Sequence, residues 1–164
     1  MNETYVEWLV KRKTPVYLVF LKILFIMMTV CFFLAGLMFA PALLIALLIG
    51  IAAYFITLNA SLEYEYLYVD RELSVDKVMN QSRRKRIATF DIGKVEIMAP
   101  INSHQLDSYK NRNYKTVDYS SWEEKQPDLR YVFYYDGQQK VIFEPNEEMI
   151  KAIMNVAPRK VFKY

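Results

Sequence analysis

Histidine occurs once, cysteine once and glycine four times in these 164 residues. Each scarcity closes a class of function. The single cysteine, Cys31, lies inside the longest apolar stretch, so an intrachain disulfide and a cysteine metal cluster are both excluded, and its expected role is that of a small apolar side chain. The single histidine, His104, lies in a polar stretch and leaves too few parts for a His/carboxylate zinc site or a serine-histidine arrangement. No phosphate-cradling glycine loop of known spacing is present. The adjacent acids Glu123-Glu124 and Glu147-Glu148 read as solvated faces and a helix start rather than an acid/base pair. No catalytic residue, metal ligand or cofactor is expected, and the chain reads as a non-enzyme.

Charge is missing from one part of the chain. Between Val16 and Leu58 the only charged side chain is Lys22, whereas nearly all other charge follows Ser61. The formal net charge of +3 is too small for a nucleic-acid-binding face. The apolar block far exceeds the about 7–15 apolar residues of a secretory signal. It is about twice the roughly 20 residues that one helix needs to cross a bilayer. Two spans are therefore expected, at about 16–35 and 41–58 within a helical hairpin at 16–60, with the break in "LAGLMFAPALL". There Gly36 suits a left-handed cap and Pro41 suits the first turn of a new helix.

Lys11, Arg12 and Lys13 precede the first span and the connecting turn carries no charge, so the positive-inside rule places both termini in the cytoplasm of a two-pass cell-membrane protein. Lys22 is close enough to the cytoplasmic end to carry its ammonium to the headgroups. Ala46, Gly50 and Ala53 recur at helical spacing in the second span and suit close packing, within the hairpin or against a partner helix. Residues 1–15 place Tyr5, Trp8 and Leu9 on one helical face and end in three basic residues. That pattern predicts a short amphipathic helix at the membrane interface, with Trp8, Lys11, Arg12 and Lys13 as interface residues.

After the second span the period changes from helix to strand. "LEYEYLYV", "ELSVDKVM" and "IATFDIGKVEIM" alternate, with "DRE" as a turn and a break at Gly93. A polar loop is expected at about 100–128, with a short strand at "YKTVDY". "LRYVFYY" and "QQKVIFE" joined through Asp136-Gly137 give a hairpin, and "PNEEMIKAIMNVAP" predicts an amphipathic helix. The expected fold is an α+β membrane protein, with six or seven antiparallel strands in a small barrel or sandwich at 61–164, capped by a carboxy-terminal helix.

This order resembles the bacterial pleckstrin-homology-like domains. "TYVEWLVKRKTP" with "KVIFEPNEEMIKAIMNVAPRKVF" resembles, more specifically, a domain-of-unknown-function family of small two-helix membrane proteins from Gram-positive anaerobic bacteria. The resemblance supplies no catalytic motif. It does imply that a basic early hairpin, here Arg83, Arg84, Lys85 and Arg86, is where lipid headgroups bind, and anionic lipid attracts such residues on physical grounds too. The expected function is a membrane-anchored binding or scaffold module whose partner is anionic lipid of the bilayer or a protein. The alternative is an accessory subunit of a membrane complex, packing through its hairpin.

Overall fold

The computed structural model describes residues 5–79, 81, 83–123 and 125–163. The chain forms two compact units, one helical and one built of strands with a terminal helix.

The helical unit contains α1 (Val16–Gly36) and α2 (Pro41–Ala60). Both helices are almost wholly apolar, and Pro41 occupies the first turn of α2, where its missing N–H costs nothing. Gly36 corrects the expectation of a left-handed cap: Gly137 is the glycine with positive φ, and Gly36 ends α1 in place. What Gly36 supplies is room, because a Cβ there would overlap the side chain of Leu43. Ala42, Ala46, Ala53 and Leu58 are the buried residues of α2. Thr29, Thr57 and Asn59 satisfy their side chains on the carbonyls of Phe25, Ala53 and Phe55, one turn back. Most of the large apolar side chains of α1 and α2, such as Phe20, Met27, Phe33, Leu44 and Leu48, are exposed, and both helices are long and apolar enough to cross a membrane by length and composition.

The second unit is discontinuous in sequence: residues up to Arg12 join Glu63–Val78 and the chain from Arg84 onward. Its first sheet has the order β1 (Val6–Lys11), β2 (Leu62–Val69), β3 (Glu72–Met79), β4 (Arg83–Asp91). The amino-terminal segment is therefore a strand and not the expected amphipathic helix. Val6 pairs with Tyr68, Val10 with Tyr64 and Lys11 with Glu63, antiparallel. A six-residue segment satisfies both the helical and the two-residue period, and the edge offered by β2 decides between them. Val6 and Val10 are buried while Glu7, Leu9 and Lys11 stay exposed. A domain beginning at residue 61 would omit this strand.

The second sheet has the order β5 (Val95–Pro100), β7 (Tyr131–Tyr135), β8 (Gln139–Phe143), β6 (Lys115–Asp118). Of the two expected forms, barrel or sandwich, no closed barrel is found and the strands divide into two four-stranded sheets; seven strands fall within residues 61–164, and β1 adds an eighth among the described residues. The sheets are also not wholly antiparallel, since β6 runs parallel to β8. The long connection before β6, which includes a 3-10 turn at His104–Tyr109, lets it reach the sheet edge in that direction.

Tight turns set the registers. Asp70 and Arg71, the two residues between β2 and β3, both have positive φ, the conformation that matches strand twist in a two-residue hairpin, and Asp136 and Gly137 have positive φ in the three-residue connection 136–138 between β7 and β8. Between the sheets, Ile92–Lys94 forms a 3-10 turn whose Gly93 N–H donates to Asp91 Oδ1 at 2.8 Å.

Aromatic rings fill the space between the sheets. Tyr66 meets Phe143, Phe90 meets Phe133, and Phe133 meets Phe143, edge to face at 5.6, 5.1 and 5.3 Å. The buried Tyr66 hydroxyl donates to the Tyr119 carbonyl at 2.6 Å and accepts from the Glu144 N–H at 3.3 Å. α3 (Glu147–Val156) begins at Asn146, whose Oδ1 accepts from the Met149 N–H at 2.9 Å, and buries Met149, Ile150, Ala152 and Ile153. The chain then returns to β5, where Met98 N–H donates to Lys160 O and Phe162 N–H to Met98 O, each at 2.8 Å. That pairing covers the outer edge of β5.

Candidate functional site

Three features of the strand-built unit are candidates for contact with another molecule. The first is the basic run at the start of β4, the edge strand of its sheet. Its four residues are all exposed but not equivalent. Arg84 reaches Glu65 at 3.2 Å and Arg86 reaches Asp76 at 3.0 Å. Arg83 and Lys85 alternate with them along the strand and make no ion pair among the described residues. Burial raises the Glu65 carboxyl above its ordinary value, its hydrogen bond with Glu7 adds to this, and Arg84 opposes it. Glu7 shifts down, held by the Tyr5 hydroxyl at 2.6 Å and by Glu65. Half of the basic run thus neutralises acids of its own sheet, and the other half is available.

The second feature lies where the chain leaves β1 and returns on β2. The Arg12 guanidinium stacks 3.3 Å from the centre of the Trp122 ring and donates from Nη1 to the Tyr64 hydroxyl. Trp122 adopts φ of 60° and donates its indole N–H to Asp118 Oδ2 at 3.0 Å. The flanking Lys11 and Lys13 are exposed.

The third is a groove of about 650 Å³ walled by Trp8, Leu129, Tyr131 and Ile150 with Pro100, Pro127 and Pro145, and carrying Glu144 and Asn146 among its polar groups. Glu144 is buried, accepts from the Ser121 N–H at 3.3 Å and pairs with Lys125 at 3.2 Å, which raises the lysine. Arg130 clamps Asp128 at 2.6 Å and holds that carboxyl below its ordinary value. A half-open groove with apolar walls and fixed polar groups has the form of a binding site.

Two sheets closed by a carboxy-terminal helix agree with the sequence profile of the bacterial PH-like domain family, DUF6106, which matches residues 2–163. The chain belongs to this family. No curated protein and no solved structure matches it significantly.

The match includes β1, so the PH-like fold of this chain starts ahead of the helices and resumes after them. The residues singled out from sequence fall in different places on it. Arg83–Arg86 lie together on β4 of the PH-like domain, whereas Trp8 walls the groove and Arg12 is committed to its ring stack. Lys22 sits half-buried in α1. Ala46 and Ala53 are buried in the helical unit, and Gly50 lies beside Thr29. Sequence reasoning missed the groove and Trp122. The groove's lining comes from five separate stretches of chain, but Trp122 in a polar loop was a visible signal.

His104 touches Gln105 at 3.2 Å, and no group of three His, Cys, Asp or Glu that could hold a metal occurs among the described residues.

Proposed function

We propose that the chain is a non-enzymatic, membrane-anchored binding module: α1 and α2 form a two-pass hairpin and the PH-like domain is held against the cytoplasmic face. One observation carries this reading. The apolar hairpin is inserted between two hydrogen-bonded strands, with Lys11 opposite Glu63, so the chain must return to the side it left. An even number of crossings follows for any membrane-spanning arrangement of these helices, and the basic residues before α1 favour the cytoplasm for the domain. The exposed apolar surface of both helices fits a lipid environment. PH-like domains generally act by binding, and the available Arg83 and Lys85 suit anionic headgroups. Each would contribute about 1 kcal/mol near an anionic surface.

The test uses the full chain reconstituted in bilayers of anionic or neutral lipid. Lys85 should react more slowly with a water-soluble amine reagent in the anionic bilayer, while the exposed Lys110 reacts equally in both. Equal rates at Lys85 would contradict headgroup contact and direct attention to the groove and a protein partner. The hairpin also carries a second reading. An apolar groove of about 650 Å³ beside Ala46 and Gly50 is where a partner helix of a membrane complex would pack.

A further inference from the structure

We infer that Trp122 is a membrane-interface residue, held in the headgroup layer by Arg12, so that the loop after β6 gives the domain a contact with the bilayer separate from the hairpin and the basic strand. The inference rests on the proposed two-pass reading and adds a residue to it.

The geometry begins at the point where the helices join the sheet. Arg12 and Tyr64 are bonded to each other, and each stands four residues outside a helix, Arg12 before Val16 and Tyr64 after Ala60. Four residues span at most about 14 Å. If α1 and α2 cross the bilayer, this pair lies at or near its surface, whatever the orientation of the domain. Trp122 stacks on Arg12 and is drawn to the same depth, although it comes from a distant part of the chain.

The side chain suits that layer. Its indole has one polar atom, already donated to Asp118, and 44% of the residue remains exposed. Tryptophan prefers the interface because an apolar body and a polar N–H meet different surroundings there. Lys11 and Lys13, which flank Arg12 in the sequence, are both exposed. The backbone gives a further reason to look for a role for the ring. A bulky residue at φ of 60° adopts a backbone conformation that asparagine or glycine would fit more easily. Trp8, the tryptophan that sequence alone places at the interface, walls the groove.

These two are the only tryptophans in the chain, which makes a direct experiment available. Full-length Trp8→Phe, which retains Trp122 and its contacts, is reconstituted into phosphatidylcholine/phosphatidylglycerol vesicles carrying a bromine- or nitroxide-labelled lipid. Trp122→Phe reports Trp8 in parallel. Trp122 fluorescence should be quenched most by labels near the headgroup, at least roughly twofold more strongly than Trp8, as expected of an interfacial tryptophan. It should also be protected from aqueous acrylamide relative to detergent. Trp122 quenched only from water, in vesicles from which alkaline carbonate does not extract the protein, would overturn the inference while leaving the hairpin reading intact. Extraction by carbonate would instead overturn both.

Discussion

Lys11 and Glu63 are antiparallel partners across β1 and β2 although both apolar helices lie between them in the chain. The sheet therefore joins what the sequence separates, and the helical hairpin occupies the position of a hairpin turn.

The helices should then be dispensable for the PH-like fold, and β1 should not. Joining Arg12 to Leu62 through Asn-Gly, a dipeptide that suits a two-residue hairpin, should give a soluble domain with cooperative thermal unfolding by circular dichroism. A fragment starting at Ser61 loses the burial of Val6 and Val10. At about 1.5–3 kcal/mol for each side chain it should be less stable by at least about 3 kcal/mol, or not fold. Equal stability of the two proteins would contradict the discontinuous domain.

Phe133 touches both Phe90 and Phe143 in the space between the sheets. In the hairpin-excised domain, Phe133→Ala should cost about 3–5 kcal/mol in urea unfolding. Tyr135→Phe, at a half-buried site, should cost far less.

The outer face of the first sheet should make stability depend on pH. Because the folded state raises the Glu65 carboxyl above its ordinary value of 4.5, it holds that proton more tightly than the unfolded chain does. The associated stability is fully present below the ordinary value and is lost as pH rises through the raised one. Glu7, which shifts down, acts in the opposite sense: its contribution is present above the ordinary value and is lost as pH falls. Glu65→Gln removes the first effect. Its stability relative to the parent, from chemical denaturation, should be higher at pH 7 than at pH 4, and a pH-independent difference would exclude this assignment.

The basic run should divide into two functional pairs. In the hairpin-excised domain, Arg83→Gln with Lys85→Gln should weaken binding to anionic vesicles by about 2 kcal/mol, on the order of 30-fold, and reduce its salt dependence. Arg84→Gln with Arg86→Gln should show a loss of stability as well, because Glu65, buried on the sheet, is left unpaired.

Periodic, compositionally extreme segments were legible in the sequence. The apolar helices, the Asp136-Gly137 hairpin and the amphipathic α3 each state their structure locally. The amino-terminal strand did not, because Tyr5, Trp8 and Leu9 fit a helical face as well as Val6, Trp8 and Val10 fit a strand, and only pairing with distant Tyr64 and Tyr68 decides. The parallel pairing of β6 and the separation into two sheets depend on where long connections end, which no local pattern records. The basic run was visible as charge, but its division into paired and available residues depends on Glu65 and Asp76, which lie on other strands. The Trp122–Arg12 stack and the groove are likewise products of tertiary contact.

The most direct test of the account is the side on which each part of the chain lies. In a Cys31→Ser background, single cysteines at Met38→Cys, in the turn between the helices, and at Gln138→Cys, in the β7–β8 turn, are treated with a membrane-impermeant maleimide in intact cells. The account predicts labelling of the first from outside and of the second only after lysis. Labelling of both from the same side would contradict a two-pass hairpin that holds a cytoplasmic domain by both of its ends.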